Sequence, residues 1–420
     1  MKRKNCNVCE SDNIEELLDL GKHPLADTFL STENFDAPEV YYPLVLMECM
    51  DCKHVFTKFQ ISPEERYVIN DYSYDSSNSS VAESHFQEFA ADIVAKYKSL
   101  YSNRSPSSAL DIGSNVGTLL KYLNIEHNLV VTGVEPSSNI AKIANDQGVN
   151  TLCALFDKNL FREKLLQEDS LDVITSTNVV NHMDDLHQMM NVIDRLLTEN
   201  GMFAFEVPYL VDLVEQTAFD TAYHEHVNYF SLASIKRLLD SFNFSIAYSE
   251  SITYMGGSIR IYAVKTDDDS KAVMHVEKAL RVEVEYFQSN LEWRQALRDK
   301  VMDIKIRLLS FLATIRSNGK RVCCIGAATK GNTLLNYCRI DVDTVAVCCE
   351  VSELKVGKKM PGSRIPIIHD DDLGEDWDCA VVLPWNISDY LVEKFKKSGL
   401  RLVFPIQGFL INKDGSNENF

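Results

Sequence analysis

The chain has 420 residues, of which 45% are hydrophobic and 25% are charged, and its formal net charge at pH 7 is −19. This length is too great for one hydrophobic core and predicts two or three domains, and the composition is typical of a folded globular protein. The acidic balance argues against nucleic acid as a partner, because phosphate contacts need basic surfaces. The polar start of the chain does not resemble a secretory signal, and no apolar run approaches the ~20 residues of a membrane span. We therefore expect a cytoplasmic enzyme with no membrane partner.

Two Cys-x2-Cys pairs stand out among the eleven cysteines. Cys6 and Cys9 form the first pair, and Cys49 and Cys52 form the second after 39 intervening residues. Four thiolates at this spacing are typical of a structural zinc site with tetrahedral coordination and no open position. His54 could replace a thiolate, but Cys52 already completes the second pair, so we expect His54 to be a bystander. The other seven cysteines lie mostly in or beside apolar runs and are expected to be reduced packing residues.

The central part of the chain alternates short apolar strands with helical segments. A polar loop over residues 67–80, rich in Tyr, Asp and Ser, connects the cysteine pairs to a helix predicted over residues 81–101. Beyond it, the alternation predicts a parallel sheet with helices on both faces, and such sheets bind ligands at the carboxyl ends of their strands. The predicted strands are Ala109–Ile112, Val130–Val134, Leu171–Thr175 and Met202–Val207.

A glycine turn follows the first of these strands. Gly113 and Gly117 let the backbone approach a ligand closely, but the turn is neither a dinucleotide fingerprint nor a phosphate loop. Glu135 lies 22 residues beyond Gly113, at the tip of the next strand, where a carboxylate can accept both hydroxyls of a ribose. This combination favours an adenosyl ligand without pyrophosphate, namely S-adenosylmethionine; the alternative is that Glu135 is a solvated capping residue. The predicted cofactor-binding residues are Asp111, Gly113, Ser114, Asn115, Gly117, Glu135 and Asn178.

The stretch Tyr223-His224-Glu225-His226 concentrates titratable side chains just after the fourth strand. An imidazole with a neighbouring carboxylate can be poised to take a proton near neutral pH. A tyrosine beside it can donate a hydrogen bond to an oxygen that becomes negative. The alternative is a polar loop with two incidental histidines.

The C-terminal third repeats the strand and helix alternation after a long pair of helical segments over residues 270–316. Gly326 opens a turn before a predicted helix, and Lys330 beside the helix N-terminus predicts a clamp for a diphosphate or a sugar. The alternative is a purely structural turn. This third of the chain shows no second S-adenosylmethionine signature, because a carboxylate at the end of the next strand is offered only weakly, by Glu350. The predicted strands are Arg321–Ile325, Thr344–Cys348, Ala380–Leu383 and Arg401–Phe404.

Taken in order, these motifs resemble those of sugar C-methyltransferases, which use S-adenosylmethionine to add a methyl branch to C-3 of nucleotide-linked 4-ketosugars. The resemblance covers nearly the whole chain and implies an α/β protein with an N-terminal zinc-binding unit (1–66), a central Rossmann-like methyltransferase domain (67–268) and a C-terminal Rossmann-like α/β domain (269–420). Val116 departs from the family's usual Gly-Ser-Asn-Asp-Gly turn, which predicts altered contacts near the cofactor. The resemblance rests on the cysteine pairs and on residues 111–120, 133–137, 223–231, 256–260, 326–337 and 361–367.

The resemblance also implies the chemistry and the ligands. The cofactors would be S-adenosylmethionine and structural zinc, and the substrate a nucleotide-diphosphate sugar in branched-chain deoxysugar biosynthesis, bound by a monomer or small homo-oligomer. Methylation of a carbon next to a ketone needs a base for the C-3 proton and donors for the enolate oxygen at C-4. An O- or N-methyltransferase acting on a nucleotide-linked sugar and a non-catalytic zinc-bearing scaffold are the alternatives.

Residues can be assigned to each of these roles. His226 is predicted to be the base, with Glu225 orienting or tuning its imidazole, and Tyr223 and His182 are predicted donors to the C-4 oxygen. Either Tyr72 or Tyr74, from the polar loop, would close over the sugar. The residues predicted to bind the substrate are Tyr74, Lys330 and Asn332.

Overall fold

The protein is described by a computed structural model, which covers residues 2–68, 80–163, 165–266, 274–374 and 376–420. The chain divides into two compact units, each assembled from separate stretches of sequence. The domain boundaries after residues 66 and 268 stay a prediction. The first unit comprises Met1–Glu16, Leu46–Val211 and Val227–Asn290, and the second comprises Leu17–Val45, Asp212–His226 and Leu291–Phe420.

A seven-stranded sheet forms the centre of the first unit, with strand order β10-β11-β8-β7-β4-β5-β6. Strands β4 to β8 pair in parallel, whereas β11 runs antiparallel to both β8 and β10. The predicted Rossmann-like α/β fold is therefore confirmed. The strands are β4 (Ser108–Ile112), β5 (Val130–Val134), β6 (Thr151–Leu152), β7 (Leu171–Thr177), β8 (Leu197–Pro208), β10 (Phe244–Ile252) and β11 (Ser258–Lys265).

Helices cover this sheet and explain its apolar strands. Residues 202–207 of β8 are all buried, because a strand covered on both faces reads as a continuous apolar run rather than an alternating one. The helix predicted over residues 81–101 is confirmed as α1, and its fully buried Phe89, Ile93 and Tyr97 pack in the core with Leu120 and Leu123. The helices up to residue 290 are α1 (Ser80–Leu100), α2 (Thr118–Ile125), α3 (Ser138–Asp146), α4 (Asn159–Arg162), α5 (Leu186–Leu196), α6 (Leu210–Gln216), α7 (Leu232–Asp240) and α8 (Met274–Ser289).

A four-stranded sheet lies near the cysteine pairs, with order β1-β2-β3-β9. The short strand β9 pairs antiparallel with β3 through Val55 opposite Tyr229 and Phe56 opposite Asn228. This pairing brings a segment from the middle of the chain to the edge of the N-terminal sheet. The strands are β1 (Ile14–His23), β2 (Tyr42–Cys49), β3 (Val55–Thr57) and β9 (Asn228–Tyr229).

The second unit contains another seven-stranded sheet, with order β14-β13-β12-β15-β16-β17-β18. Its first five strands in this order are parallel, as in a Rossmann-like α/β domain, and β17 runs antiparallel to both β16 and β18. The strand predicted at Thr344–Cys348 is misplaced: the Asp341 carbonyl accepts from the N–H groups of Thr344 and Val345, so a turn occupies those residues. The elements are α9 (Trp293–Ser317), β12 (Val322–Ile325), α10 (Thr329–Cys338), β13 (Cys348–Glu350), β14 (Ile367–His369), β15 (Cys379–Val382), α11 (Ser388–Phe395), β16 (Arg401–Phe404), β17 (Phe409–Ile411) and β18 (Asn417–Asn419).

Candidate functional site

The four cysteines of the two pairs form one cluster in the first unit. Their Sγ atoms all lie within 4.8 Å of one another, with 3.6 Å between Cys6 and Cys52 and 3.5 Å between Cys9 and Cys49. Zinc bound to four thiolates at about 2.3 Å in a tetrahedron separates the sulfurs by about 3.8 Å. The cluster therefore fits a closed, structural zinc site.

Each cysteine pair sits in the same kind of turn. We call residues Cys6–Cys9 the first knuckle and Cys49–Cys52 the second knuckle. The residue after each knuckle has a positive φ, 60° at Glu10 and 62° at Lys53, and its N–H donates back to the carbonyl of the first cysteine, at 3.0 Å for Glu10 and 2.9 Å for Lys53. These bonds curl both knuckles so that their thiols converge.

Glu135 directly follows strand β5, at its tip as predicted, and is buried, with only 5% of its surface exposed. Its Oε1 accepts from the Ser137 N–H at 2.8 Å and its Oε2 accepts from the Asn115 N–H at 3.1 Å. Burial raises the pKa of the Glu135 carboxyl, and these backbone donors oppose the rise. A buried carboxylate that joins the glycine turn to the end of β5 is not the solvated cap considered above.

The glycines of the turn are required by packing as much as by backbone conformation. Gly113 and Gly117 have φ of +67° and +81°, and a Cβ on either would lie 2.5 Å from Val179 or 2.7 Å from Val149. Val116, the residue that departs from the family's usual turn sequence, is fully buried, and its N–H donates to the Asn115 side-chain oxygen at 3.0 Å. The valine therefore belongs to the packed core of the turn.

Buried polar atoms without a partner collect at the carboxyl ends of β4 and β7. Among the described residues, Ser114 Oγ, Ser176 Oγ, Asn178 Oδ1 and both amide atoms of Asn181 have no hydrogen-bond partner. Such atoms usually find a partner in a native structure, and a bound polar ligand supplies one. We call residues 113–117, 135–137 and 176–182 the carboxyl edge, and its donors and acceptors fit an adenosyl ligand.

Asp111 lies within this sheet rather than at its surface. Its Oδ1 accepts from the Thr175 hydroxyl at 2.7 Å, and burial raises the pKa of the carboxyl to about 7, with Glu135 and Glu206 contributing through repulsion. Asp111 is thus poised to be protonated near neutral pH, where it can also donate a hydrogen bond.

His182 ends a short 3-10 helix, Val180–His182, that follows β7. Its Nδ1 lies 2.7 Å from the Tyr67 hydroxyl, and its carbonyl accepts from Arg66 at 3.2 Å. The tyrosine hydroxyl that contacts the predicted catalytic residue His182 belongs to Tyr67, at the start of the polar loop. Tyr72 and Tyr74 lie outside the described residues.

Tyr223 and His226 form a hydrogen-bonded pair in the second unit. The Tyr223 hydroxyl lies 2.6 Å from His226 Nε2, and His226 Nδ1 lies 2.8 Å from the Thr221 carbonyl oxygen. A carbonyl can only accept, so Nδ1 carries the proton and Nε2 is the acceptor of the Tyr223 O–H. Burial lowers the pKa of His226 to about 3, the Thr221 carbonyl opposes this and Lys330 adds to it, so the imidazole is neutral.

Glu225 is buried, with 2% of its surface exposed. Its Oε1 accepts from the Asp27 N–H at 3.2 Å, and Asp27 in turn accepts from the Thr329 hydroxyl at 2.9 Å. These bonds tie the 223–226 turn to the start of α10. The Thr221 carbonyl fixes the proton on His226 Nδ1, and the predicted role of Glu225 in orienting His226 stays a prediction.

Lys330 is held inside the second unit by groups that the sequence did not point to. Its Nζ donates to the Asn386 side-chain oxygen and lies 4.2 Å from the centre of the Trp385 ring. Trp385 Nε1 donates to the buried Asp220 at 2.8 Å. Burial lowers the pKa of Lys330 to about 8 although Asp220 opposes it, and burial raises the pKa of Asp220 to about 6.

Asn332 lies two residues, about half a helical turn, further along α10 and is buried. Its amide nitrogen donates to the Ala26 carbonyl at 2.7 Å, while its Oδ1 has no partner among the described residues. The predicted substrate residues Lys330 and Asn332 thus lie on one helix in different surroundings. Lys330 donates to Asn386, whereas Asn332 has a buried side-chain oxygen without a partner among the described residues.

Sequence reasoning missed several residues of these clusters. Asn181 could have been noticed from the run Asn178-Val179-Val180-Asn181-His182, which places amides beside a predicted site residue. Asp220 and Trp385 lie 165 residues apart in the chain, so no local pattern joins them.

Comparison with known proteins gives three family matches in chain order. Residues 6–67 match the family described as "Putative zinc binding domain", residues 82–249 match a methyltransferase domain, and residues 253–406 match a C-methyltransferase C-terminal domain. The C-methyltransferase NovU of Streptomyces niveus is 28% identical over 405 residues, which cover 96% of this chain and 95% of NovU.

Two of the matching solved structures each cover 46% of this chain. The plantazolicin methyltransferase BpumL in complex with SAH is 16% identical, with a TM-score of 0.36 over 46% of this chain and 88% of that one. The PH0226 protein of Pyrococcus horikoshii OT3 is 15% identical, with a TM-score of 0.36 over 46% of this chain and 95% of that one. Within the described ranges, no helix is both long and apolar enough to cross a membrane.

Proposed function

Given that the chain belongs to the S-adenosylmethionine-dependent C-methyltransferase family, we propose that its methyl acceptor is C-3 of a nucleotide-diphosphate 4-keto-deoxysugar, in the biosynthesis of a branched-chain deoxysugar. Family membership sets aside the O- or N-methyltransferase and the non-catalytic scaffold. The observation that carries the proposal is the Tyr223–His226 pair, with its 2.6 Å contact between the hydroxyl and Nε2. Carbon methylation needs such a proton acceptor, because the C–H bond must break before the new C–C bond forms.

We assign the base role to His226 because its accepting lone pair lies on Nε2, the atom that accepts from the Tyr223 hydroxyl. The Thr221 carbonyl keeps the proton on Nδ1, so Nε2 can accept the C-3 proton of the ketosugar. The electron pair of the broken C–H bond then becomes the enolate, whose negative charge rests on the C-4 oxygen. Tyr223, no longer donating to Nε2 once the sugar is bound, donates to that oxygen, a contribution typically of ~2.7–4 kcal/mol to the transition state.

The first unit supplies cofactor binding in this proposal. Glu135 accepts the ribose hydroxyls, and the amides and hydroxyls of the carboxyl edge bind the rest of the adenosyl group. When bound, S-adenosylmethionine provides an electrophilic methyl group on a sulfonium, so no redox cofactor is needed. His182, held by Tyr67, is a further donor for the substrate oxygen. Zinc on the four cysteines is structural, because all four of its ligand positions are filled by protein.

Lys330 provides positive charge for the anionic substrate and its enolate. Because Asp220, Trp385 and Asn386 hold the ammonium group in place, it need not be reoriented when charge develops, and such preorganisation is the main source of electrostatic stabilisation in enzymes. Asn332 Oδ1, the buried acceptor on the same helix, can accept from a sugar hydroxyl or a base N–H.

A direct test supplies thymidine-, cytidine- and guanosine-diphosphate 4-keto-deoxysugars with methyl-labelled S-adenosylmethionine and analyses the products by mass. We expect label on a ring carbon of at least one sugar, located at C-3 by fragmentation. Label on oxygen or nitrogen, or no transfer to any ketosugar by enzyme that binds S-adenosylhomocysteine, would overturn the proposed acceptor while leaving the cofactor assignment intact.

A further inference from the structure

A short segment after β7 is bonded to the first knuckle at several points. The segment, residues 180–187, carries His182 and begins two residues after Asn178. The Val8 carbonyl in the knuckle lies 3.0 Å from His187 Nε2, and Arg3, just before the knuckle, donates to the Asp184 carbonyl at 2.7 Å. Both ends of these contacts belong to the first unit.

Asn228 is the centre of this connection and is buried, with 1% of its surface exposed. On the knuckle side, its Oδ1 accepts from the Asn7 side-chain amide and faces His54 Nε2 at 3.2 Å. On the other side, its Nδ2 donates to the Met183 carbonyl at 2.8 Å and lies 3.4 Å from the Val180 carbonyl. One amide group thus joins a residue between two zinc-binding cysteines to the turn that contains His182.

The backbone of the same region reinforces this link. The Val227 N–H donates to the Asn181 carbonyl at 2.8 Å, and the Val227 carbonyl accepts from the Thr57 N–H at 2.9 Å. His54, expected to be a bystander, is fully buried and turned toward Asn228 rather than into the sulfur cluster. Its place in the structure is to support Asn228.

We propose that Asn228 is a positioning residue through which the zinc-held knuckle fixes the 180–187 segment and thereby His182. The catalytic half of this statement rests on the proposed function, since it takes His182 to act on the substrate. The residue type matters: one face must accept two hydrogen bonds and the other must donate to carbonyls, and only a carboxamide does both. Aspartate keeps the accepting face and loses the donors, whereas leucine loses both.

The first test measures the segment itself, without any substrate. Amide hydrogen exchange of residues 180–187 is followed in wild type, Asn228→Asp, Asn228→Leu and Asn7→Ala, each checked for zinc content and melting temperature. We expect exchange at His182 and Met183 to speed up by about tenfold in both Asn228 variants, as when buried hydrogen bonds are lost. Stripping zinc from wild type with a chelator should raise exchange at the same amides.

Ser11→Ala is the matched control. Ser11 donates to Asp51 at 2.6 Å, a bond between the two knuckle regions on the exposed side, and its loss should leave exchange in the 180–187 segment unchanged. If the Asn228 variants retain zinc and wild-type protection of residues 180–187, the inference is wrong, whatever the protein methylates.

A double-mutant cycle tests whether Asn228 acts through His182. Asn228→Asp and His182→Ala should each lower kcat by about tenfold or more, and the double variant should be no slower than His182→Ala alone, because residues that act as a unit are not additive. Additive losses would show that Asn228 supports only general stability and would overturn the positioning role. A wild type that methylates no ketosugar would instead contradict the proposed function, and the exchange measurement would still decide whether Asn228 holds the segment.

Discussion

Tyr223 and His226 are three residues apart and are brought together by a turn. The His226 N–H donates to the Tyr223 carbonyl at 3.0 Å, and this turn places the Tyr223 hydroxyl against the His226 imidazole. The proton position on His226 is then set by Thr221, a backbone group whose residue type carries no signal. The pair could be predicted from the sequence, but its tautomer could not.

Loss of the base should stop proton removal as well as methyl transfer. In deuterated buffer with S-adenosylhomocysteine bound, wild-type enzyme should exchange the C-3 hydrogen of its ketosugar, and His226→Asn should lose exchange and methylation by about 10²–10⁴-fold. Tyr223→Phe should retain part of both, because a lost donor raises the energy of the enolate without removing the base. Wild-type exchange in His226→Asn, together with none in Tyr223→Phe, would make the tyrosine the base.

The pH dependence should separate His226 from Lys330. The lowered pKa of His226, about 3, keeps the imidazole neutral at all pH values above that, so kcat/KM should show no acid limb near the usual histidine pKa of about 6.5. Lys330, with a pKa of about 8, loses its charge as the pH rises through 8, and kcat/KM should fall there.

Lys330→Met should lower kcat/KM and abolish its decline above pH 8, whereas Lys396→Met, on the exposed surface of the same unit, should leave the profile unchanged. The profiles are measured with saturating cofactor from pH 5 to pH 9.5. A decline that persists in Lys330→Met belongs to another group, and an acid limb near pH 6.5 would contradict the neutral state assigned to His226.

At the scale of elements, strands β8 and β11 are joined by buried charge. Glu206 is fully buried on β8, and its Oε1 accepts from Arg260 of β11 at 2.6 Å while its Oε2 lies 2.8 Å from His85 Nε2 of α1. Arg260 also pairs with Asp92 of α1 at 2.8 Å. Arg260, in the segment 256–260 that carries part of the family resemblance, thus links helix α1 to strands β8 and β11.

Removing Arg260 should therefore destabilise the first unit rather than alter its chemistry. Arg260→Leu leaves the Glu206 carboxylate buried without its main partner, which typically costs about 3–5 kcal/mol of unfolding free energy. Lys142→Ala, which breaks the exposed Lys142–Asp146 pair on α3, should have no measurable effect. Urea unfolding followed by circular dichroism compares the two, and equal midpoints would show that the buried network contributes nothing.

At the scale of the whole molecule, what the sequence predicts well is local. The apolar runs of β4, β7 and β8 were placed correctly because a strand buried on both faces is apolar along its length. The cysteine pairs were recognised because the spacing itself carries the geometry. By contrast, the two-residue strand β9 has no pattern of its own, and its pairing with β3 depends on residues far away in the chain. The contacts of Asn7 with Asn228 and of Asp220 with Trp385 escaped prediction for the same reason.

The zinc site provides the prediction that concerns the molecule as a whole. Purified protein should contain about one zinc per chain, and Cys49→Ser, which removes a fully buried thiolate ligand, should lower both zinc content and solubility, because the free energy of metal binding is part of the free energy of folding. Cys153→Ser is the control, since Cys153 is exposed and outside the cluster, and it should keep zinc and stability. Zinc content and thermal unfolding are measured for the wild type and both variants. A folded, active wild type without zinc, or a Cys49→Ser variant as stable as Cys153→Ser, would contradict the structural role of zinc.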